Sequence, residues 1–141
     1  MAATDTKLQM LKSVPLFAAM RPKDLASLER LTDTIDLPAG KTLMREGDNG
    51  NEMFVIASGS VGVERGGRQV AKMGPGEAVG EMALLSEGPR RATVTTLEPT
   101  TVFAIQHREF HTLMADSAEL RTCIFENLAK RVLALDEDGA H

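Results

Sequence analysis

Eleven of the twelve glycines lie between positions 40 and 88, and only Gly139 lies outside that window. Glycine this dense disfavours helix and marks turns, so the middle of the chain must be built from short reversing segments. Apolar runs recur between and just beyond those glycines: Thr42-Leu43-Met44, Met53-Phe54-Val55-Ile56, Val61-Gly62-Val63, Val70-Ala71-Lys72-Met73, Ala92-Thr93-Val94 and Val102-Phe103-Ala104-Ile105. Starts about 8–12 residues apart predict an antiparallel sandwich or barrel. Reversals are marked by Pro38-Ala39-Gly40, Gly47-Asp48-Asn49-Gly50, Ser58-Gly59 and Gly66-Gly67, the last suited to a tight hairpin that needs positive φ. One longer break, from Met73 to Ala92, interrupts the strand rhythm.

The flanks carry helical spacing instead. Leu25, Leu28 and Leu31 repeat over 21–31 behind Pro22, which suits a first helical position. Phe110, Leu113 and Met114 line one face of a helix over 107–115. Leu120, Ile124, Leu128 and Val132 form an i+4 ladder over 117–135. Asp116 with Glu119 is the expected capping pair between these last two helices, and the polar tail 136–141 is expected to fray. There is no internal repeat and no low-complexity tract.

A chain of 141 residues with 43% apolar content suits one domain with a self-sufficient core. The single Cys123 excludes an intramolecular disulfide, and no basic start followed by an apolar stretch marks a secretory signal, so a reducing cytoplasmic compartment is the expectation. Charged residues interrupt every candidate membrane span. A net charge of −4, five Phe and no Tyr or Trp argue against direct nucleic-acid binding, which needs clustered cations and stacking aromatics.

The long break carries the chemistry. It reads as a strand stub, a glycine, one helical turn over Gly80-Glu81-Met82-Ala83-Leu84-Leu85, and an arginine-bearing turn, Pro89-Arg90-Arg91-Ala92-Thr93-Val94. A helical turn opened by glycine offers unpaired N–H groups, small Ala83 allows close approach to them, and Arg90 adds charge-assisted hydrogen bonds. Such a cradle suits an anion. Glu81 would repel a simple anion, so the pattern points to a ligand that also brings hydroxyl donors, such as a sugar phosphate.

These two runs resemble the phosphate-binding cassette of the cyclic nucleotide-binding domain family. Leu37-Pro38-Ala39-Gly40, Gly47-Asp48, Met53-Phe54-Val55-Ile56 and Gly59-Ser60-Val61-Gly62-Val63 resemble that family's turns and strands. The resemblance implies a mainly β fold with flanking helices: an antiparallel double-stranded β-helix, or jelly-roll-like β-roll, of eight strands over about 33–106. It places N-terminal helices before the roll and C-terminal lid helices over about 107–135, all in a single domain of 1–141. It also implies ligand-binding residues Val79, Gly80, Glu81, Met82, Ala83, Arg90, Arg91 and Ala92. By this resemblance Glu81 accepts from the ribose 2′-hydroxyl, Arg90 pairs with the exocyclic phosphate oxygens, and the N–H groups of Ala83 and Arg91 face the phosphate. Gly80 permits the turn, and Val79 lies near sugar and base. The family often has Ala, Ser or Thr where this chain has Arg91, and Thr there is associated with cyclic GMP, so the expected ligand is cyclic AMP with cyclic GMP second. No cofactor is implied.

The resemblance further implies a non-enzymatic sensor whose C-terminal helix moves, with the base contact in the 128–135 stretch, Arg131 and Leu133 being candidates. The signal would pass to a separate protein or to an effector domain of a larger chain. Other readings stand beside this one. Glu81 and Arg90 could form an ion pair that only ties a loop. The roll could be a dimerisation or docking module using the last helix, so a homodimer through that helix is a further expectation. A cupin-like metalloenzyme would need clustered ligands, and the histidines are only His107, His111 and His141. Cys123 is expected as a small buried apolar residue.

Overall fold

The computed structural model describes residues 3–86 and 88–139, with side chains described over 6–86 and 88–134. Helix α1 (Ala3–Ser13), the 3-10 turn η1 (Pro15–Phe17) and helix α2 (Pro22–Arg30) precede the strands. Ten strands follow: β1 (Asp33–Leu37), β2 (Thr42–Met44), β3 (Asn49–Gly50), β4 (Glu52–Ser58), β5 (Val61–Arg65), β6 (Arg68–Met73), β7 (Ala78–Val79), β8 (Gly88–Pro89), β9 (Thr93–Thr96) and β10 (Thr100–Gln106). A second 3-10 turn, η2 (Glu81–Leu84), lies between β7 and β8, and helices α3 (His107–Ala115) and α4 (Ala118–Gly139) close the chain. The protein is mainly β with flanking helices.

All pairings are antiparallel. One sheet has the order β1-β10-β4-β7, a second β2-β9-β5-β6, and β3 pairs with β8 alone. Strands β4 and β10 explain why their sequences read as unbroken apolar runs. Phe54, Ile56, Val102 and Ala104 point into the roll with Val61, Val63 and Val94. The alternate residues Met53, Val55, Phe103 and Ile105 point the other way, where Leu11, Leu16, Phe17, Leu28, Phe110, Leu120 and Ile124 cover them. These two central strands are therefore a shared wall between two cores, buried on both faces, while the edge strand β1 is largely exposed.

Gly66 and Gly67, at φ 57° and 80°, make the expected β5–β6 hairpin. Helices α1 and α2 stand before the roll as the resemblance implies, and the C-terminal helical expectations differ in three places. Ser117, not Asp116, caps α4, its hydroxyl accepting from the Leu120 N–H at 3.0 Å. Asp116 ends α3, and Glu119 instead takes Arg21, 98 residues away, at 2.7 Å. The i+4 ladder is buried at Leu120 and Ile124, but Val132 is exposed. The helix runs on to Gly139, past the expected end and through part of the tail expected to fray; the rest of that tail lies outside the described residues. Cys123 is only half-buried, with its thiol donating to the Ala19 carbonyl. Among the described residues no helix is long and apolar enough to cross a membrane.

Candidate functional site

Strand β7 pairs with β4, Val79 opposite Phe54, and delivers the chain to Gly80 at the point where the sheet ends. Gly80 turns it with φ 77°, a left-handed conformation that side chains other than glycine adopt at a cost, and one 3-10 turn follows. Within that turn the Ala83 N–H donates to the Gly80 carbonyl at 3.0 Å. Its donor is thus already engaged, and a phosphate would have to share it. Ala83 and Leu84 are buried, whereas Met82 is exposed.

Two histidines hold this turn from behind. His107 Nδ1 lies 2.8 Å from the Ala83 carbonyl and His111 Nε2 lies 2.9 Å from the Leu84 carbonyl. A carbonyl only accepts, so each of these ring nitrogens carries the proton. The rings stack with centroids 4.1 Å apart. These nitrogens orient the turn and do not converge on a metal. No group of three or more His, Cys, Asp or Glu among the described residues could hold one.

Arg90 reaches the turn from the other side. Its N–H donates to the Asp48 carbonyl at 2.7 Å and its carbonyl accepts from Gly47 at 2.9 Å, which anchors the residue to the loop before β3. The side chain then lies over two glycines. A Cβ at Gly50 would fall 1.8 Å from Arg90 Nε, and one at Gly80 would fall 2.7 Å from Nη1. Nη1 is buried and has no hydrogen-bond partner among the described residues. Burial pulls the guanidinium below its ordinary pKa, and the negative charge of Glu52 partly offsets that. A buried guanidinium nitrogen without an acceptor calls for an anion.

Glu81 does not pair with Arg90. Its Oε2 accepts the Leu16 N–H at 3.2 Å and its Oε1 pairs with Arg131 of α4, also at 3.2 Å. The loop-tying ion pair considered from sequence is therefore replaced by a long-range one. Of the other expected site residues, Val79 and Ala92 are buried in the roll's interior cluster. Arg91 is exposed, so its side chain is not packed into the turn. The sequence reading missed Gly50 and Glu52. The only signal was a second glycine three residues after Gly47, beyond what one turn requires. A cavity of about 270 Å³ opens beside Arg90's glycine cradle, lined by Asn49, Gly50, Asn51 and Gly88. A larger cavity of about 330 Å³ lies along α4, but Glu119 and Glu126 among its lining residues make it a poor place for a phosphate.

The family model of the Cyclic nucleotide-binding domain matches residues 34–117, which takes in the whole glycine cradle and both arginines. This chain belongs to the cyclic nucleotide-binding domain family. It is 34% identical to a cyclic nucleotide-gated potassium channel of Mesorhizobium japonicum over 94% of this chain, and spans only 35% of the channel's length. The N-terminal domain of a transcriptional regulator from Streptomyces coelicolor superposes with a TM-score of 0.84 at 31% identity, covering 92% of this chain and 94% of that one. The regulatory domain of Toxoplasma gondii PKA, solved with cAMP, superposes with a TM-score of 0.76 at 30% identity, covering 95% of this chain and 53% of that one. As a cyclic nucleotide-binding domain, the chain is a regulatory module.

Proposed function

We propose that this domain binds a cyclic mononucleotide, cyclic AMP in preference to cyclic GMP, and converts occupancy into a changed position of α4. The observation that carries the reading is Nη1 of Arg90, buried above Gly50 and Gly80 and without a partner among the described residues. A ring phosphate supplies the missing acceptor, and Glu81 on the same turn takes the ribose 2′-hydroxyl. The relative solved with cAMP supports the choice of base, and the exposed Arg91 stands where the cyclic GMP-associated Thr would be.

Binding is then the whole activity, with no bond made or broken. Occupancy biases α4 only so far as the ligand favours one arrangement over another, about 1–3 kcal/mol for coupling of this kind. The recipient is a separate protein or an effector domain in the same polypeptide, in the cytoplasm. A second reading, docking of another copy on α4, is favoured by exposed Phe125, Val132 and Leu133. A stable dimer by light scattering, together with no response to any cyclic nucleotide, would support it.

Calorimetry on Arg90→Leu tests the primary reading. The variant should lose about 2–5 kcal/mol of cyclic AMP binding, because the phosphate charge is left in the cradle without its partner. Unchanged affinity would show that Arg90 is not the phosphate anchor. A thermal-shift panel of cyclic AMP against cyclic GMP ranks the bases, since stabilisation grows by about 2.7 kcal/mol at a hundredfold excess over Kd.

A further inference from the structure

His107 ties together the two segments that form the anion cradle. Its backbone N–H donates to the Asn51 carbonyl at 2.7 Å, and its ring Nδ1–H donates to the Ala83 carbonyl at 2.8 Å. Asn51 follows directly on Gly50, the last residue of β3, and Ala83 stands in η2, three residues after Gly80. Arg90 lies across these same two segments. A Cβ at Gly50 would meet its Nε, and one at Gly80 would meet its Nη1. The guanidinium therefore spans a seam that one residue, His107, holds at both edges.

Little else sets the width of that seam. The β4–β7 ladder that brings the segments together ends at Val79 opposite Phe54, short of both carbonyls, and η2 leaves the sheet from there. The His107 ring is itself held. His111 stacks on it with centroids 4.1 Å apart and donates to the next carbonyl along the turn, that of Leu84, at 2.9 Å. The two histidines are not equivalent, however. His111 is exposed, so water can stand in for its donor, whereas His107 is half-buried and Ala83 is buried. Only the loss of His107 leaves a covered carbonyl without a partner.

We propose that His107 is a positioning residue for the ligand phosphate: by holding the Ala83 and Asn51 carbonyls it fixes the gap between the η2 backbone and the Arg90 guanidinium at the width a ring phosphate fills. This rests on the reading that a ring phosphate sits between that turn and Arg90. An anion gripped by groups on two separate segments binds best when those segments cannot drift, because the ordering is then done before the ligand arrives. His107 acts through the two carbonyls, with Nδ1–H committed to Ala83.

The experiment is calorimetry with cyclic AMP on wild type, His107→Phe, His107→Asn and Arg90→Leu, at a temperature where each is folded. Phe keeps a ring against His111 but donates nothing. Asn gives up the stack but carries an amide N–H one bond beyond Cγ, where Nδ1 sits in histidine. His107→Phe should bind cyclic AMP about two- to tenfold more weakly than wild type, the worth of one hydrogen bond. His107→Asn should bind within about twofold of wild type. A residue that served the fold only through its ring would give the reverse order. Nitrogen-15 NMR of the imidazoles in the unaltered protein, at about pH 8, is independent of any variant and should find the His107 proton on Nδ1 rather than Nε2. Equal binding by His107→Phe and wild type, a His107→Asn protein as weak as His107→Phe, or an Nδ1 without its proton would each overturn the positioning role. Those results leave the phosphate reading standing as long as Arg90→Leu binds weakly. If wild type fails to bind, or Arg90→Leu binds as well as wild type, the phosphate reading falls and the positioning role falls with it.

Discussion

Replacing Gly50 by Ala separates the anion cradle from the fold that carries it. Gly50 does not need a positive φ, so Ala adopts its backbone without strain. The new methyl, however, would lie 1.8 Å from Arg90 Nε, 2.2 Å from Cζ and 2.4 Å from Cδ. Ordinary carbon contacts begin near about 3.5 Å, so the guanidinium must move by about 1.5 Å or more. It moves readily, because an arginine head sits on a flexible stem and Nη1 has no partner to hold it among the described residues. Stability should change by less than about 1 kcal/mol, the loss of glycine's unfolded-state freedom offsetting part of the rearrangement. Binding should suffer far more. Lengthening an Arg–phosphate contact from about 4 to about 5.5 Å at an effective dielectric near 20 forfeits about 1 kcal/mol of Coulomb energy. Loss of the charge-assisted hydrogen bonds adds about 1.5–3 kcal/mol. Calorimetry should accordingly find cyclic AMP binding weakened by about 2.5–4 kcal/mol, or about 70- to 900-fold. A Gly50→Ala protein that melts like wild type and binds within about threefold of it would refute the argument, since the one side chain displaced would then not matter.

Two further predictions concern the support of the site. His107→Phe keeps the stack on His111 but leaves the Ala83 carbonyl without its donor. It should cost about 1–2 kcal/mol, read by calorimetry as a melting temperature lower by about 3–8 °C, and unchanged melting would mean the carbonyl is satisfied another way. Burial raises the Cys123 thiol above its ordinary pKa of 9.0, with the negative charges of Asp24 and Glu126 adding to it. Alkylation of the folded protein at pH 8 should therefore run slower than that of the unfolded chain. The same shift predicts that its contribution to stability is complete below pH 9.0 and lost as pH rises through the folded value. Equal alkylation rates for folded and unfolded protein would contradict both.

Much of this was legible beforehand. Each of the six apolar runs became part of a strand, because alternate residues had somewhere apolar to point on one face or both. The paired β3 and β8 were not legible: Asn49-Gly50 and Gly88-Pro89 hold no apolar residue, and their pairing follows from the loops around Arg90. The cap of α4 was misplaced by one residue. Asp116 and Ser117 are both good capping types, and only the hydrogen bonds of the Asp116 N–H to Thr112 and Leu113 keep it in the helix before.

By itself, the order of residues determined that a glycine-opened turn would face an arginine, since a turn, its glycine and the strand that follows are neighbours along the chain. It left open what each charged group meets. Glu81 was weighed against Arg90, nine positions away, yet its partners are Leu16 and Arg131, 65 and 50 positions distant. Charges pair according to separation in space, and that separation exists only once the helices have packed onto the outer face of the β1-β10-β4-β7 sheet. That packing put Arg131 on the Glu81 carboxylate, a pairing no spacing along the chain announces.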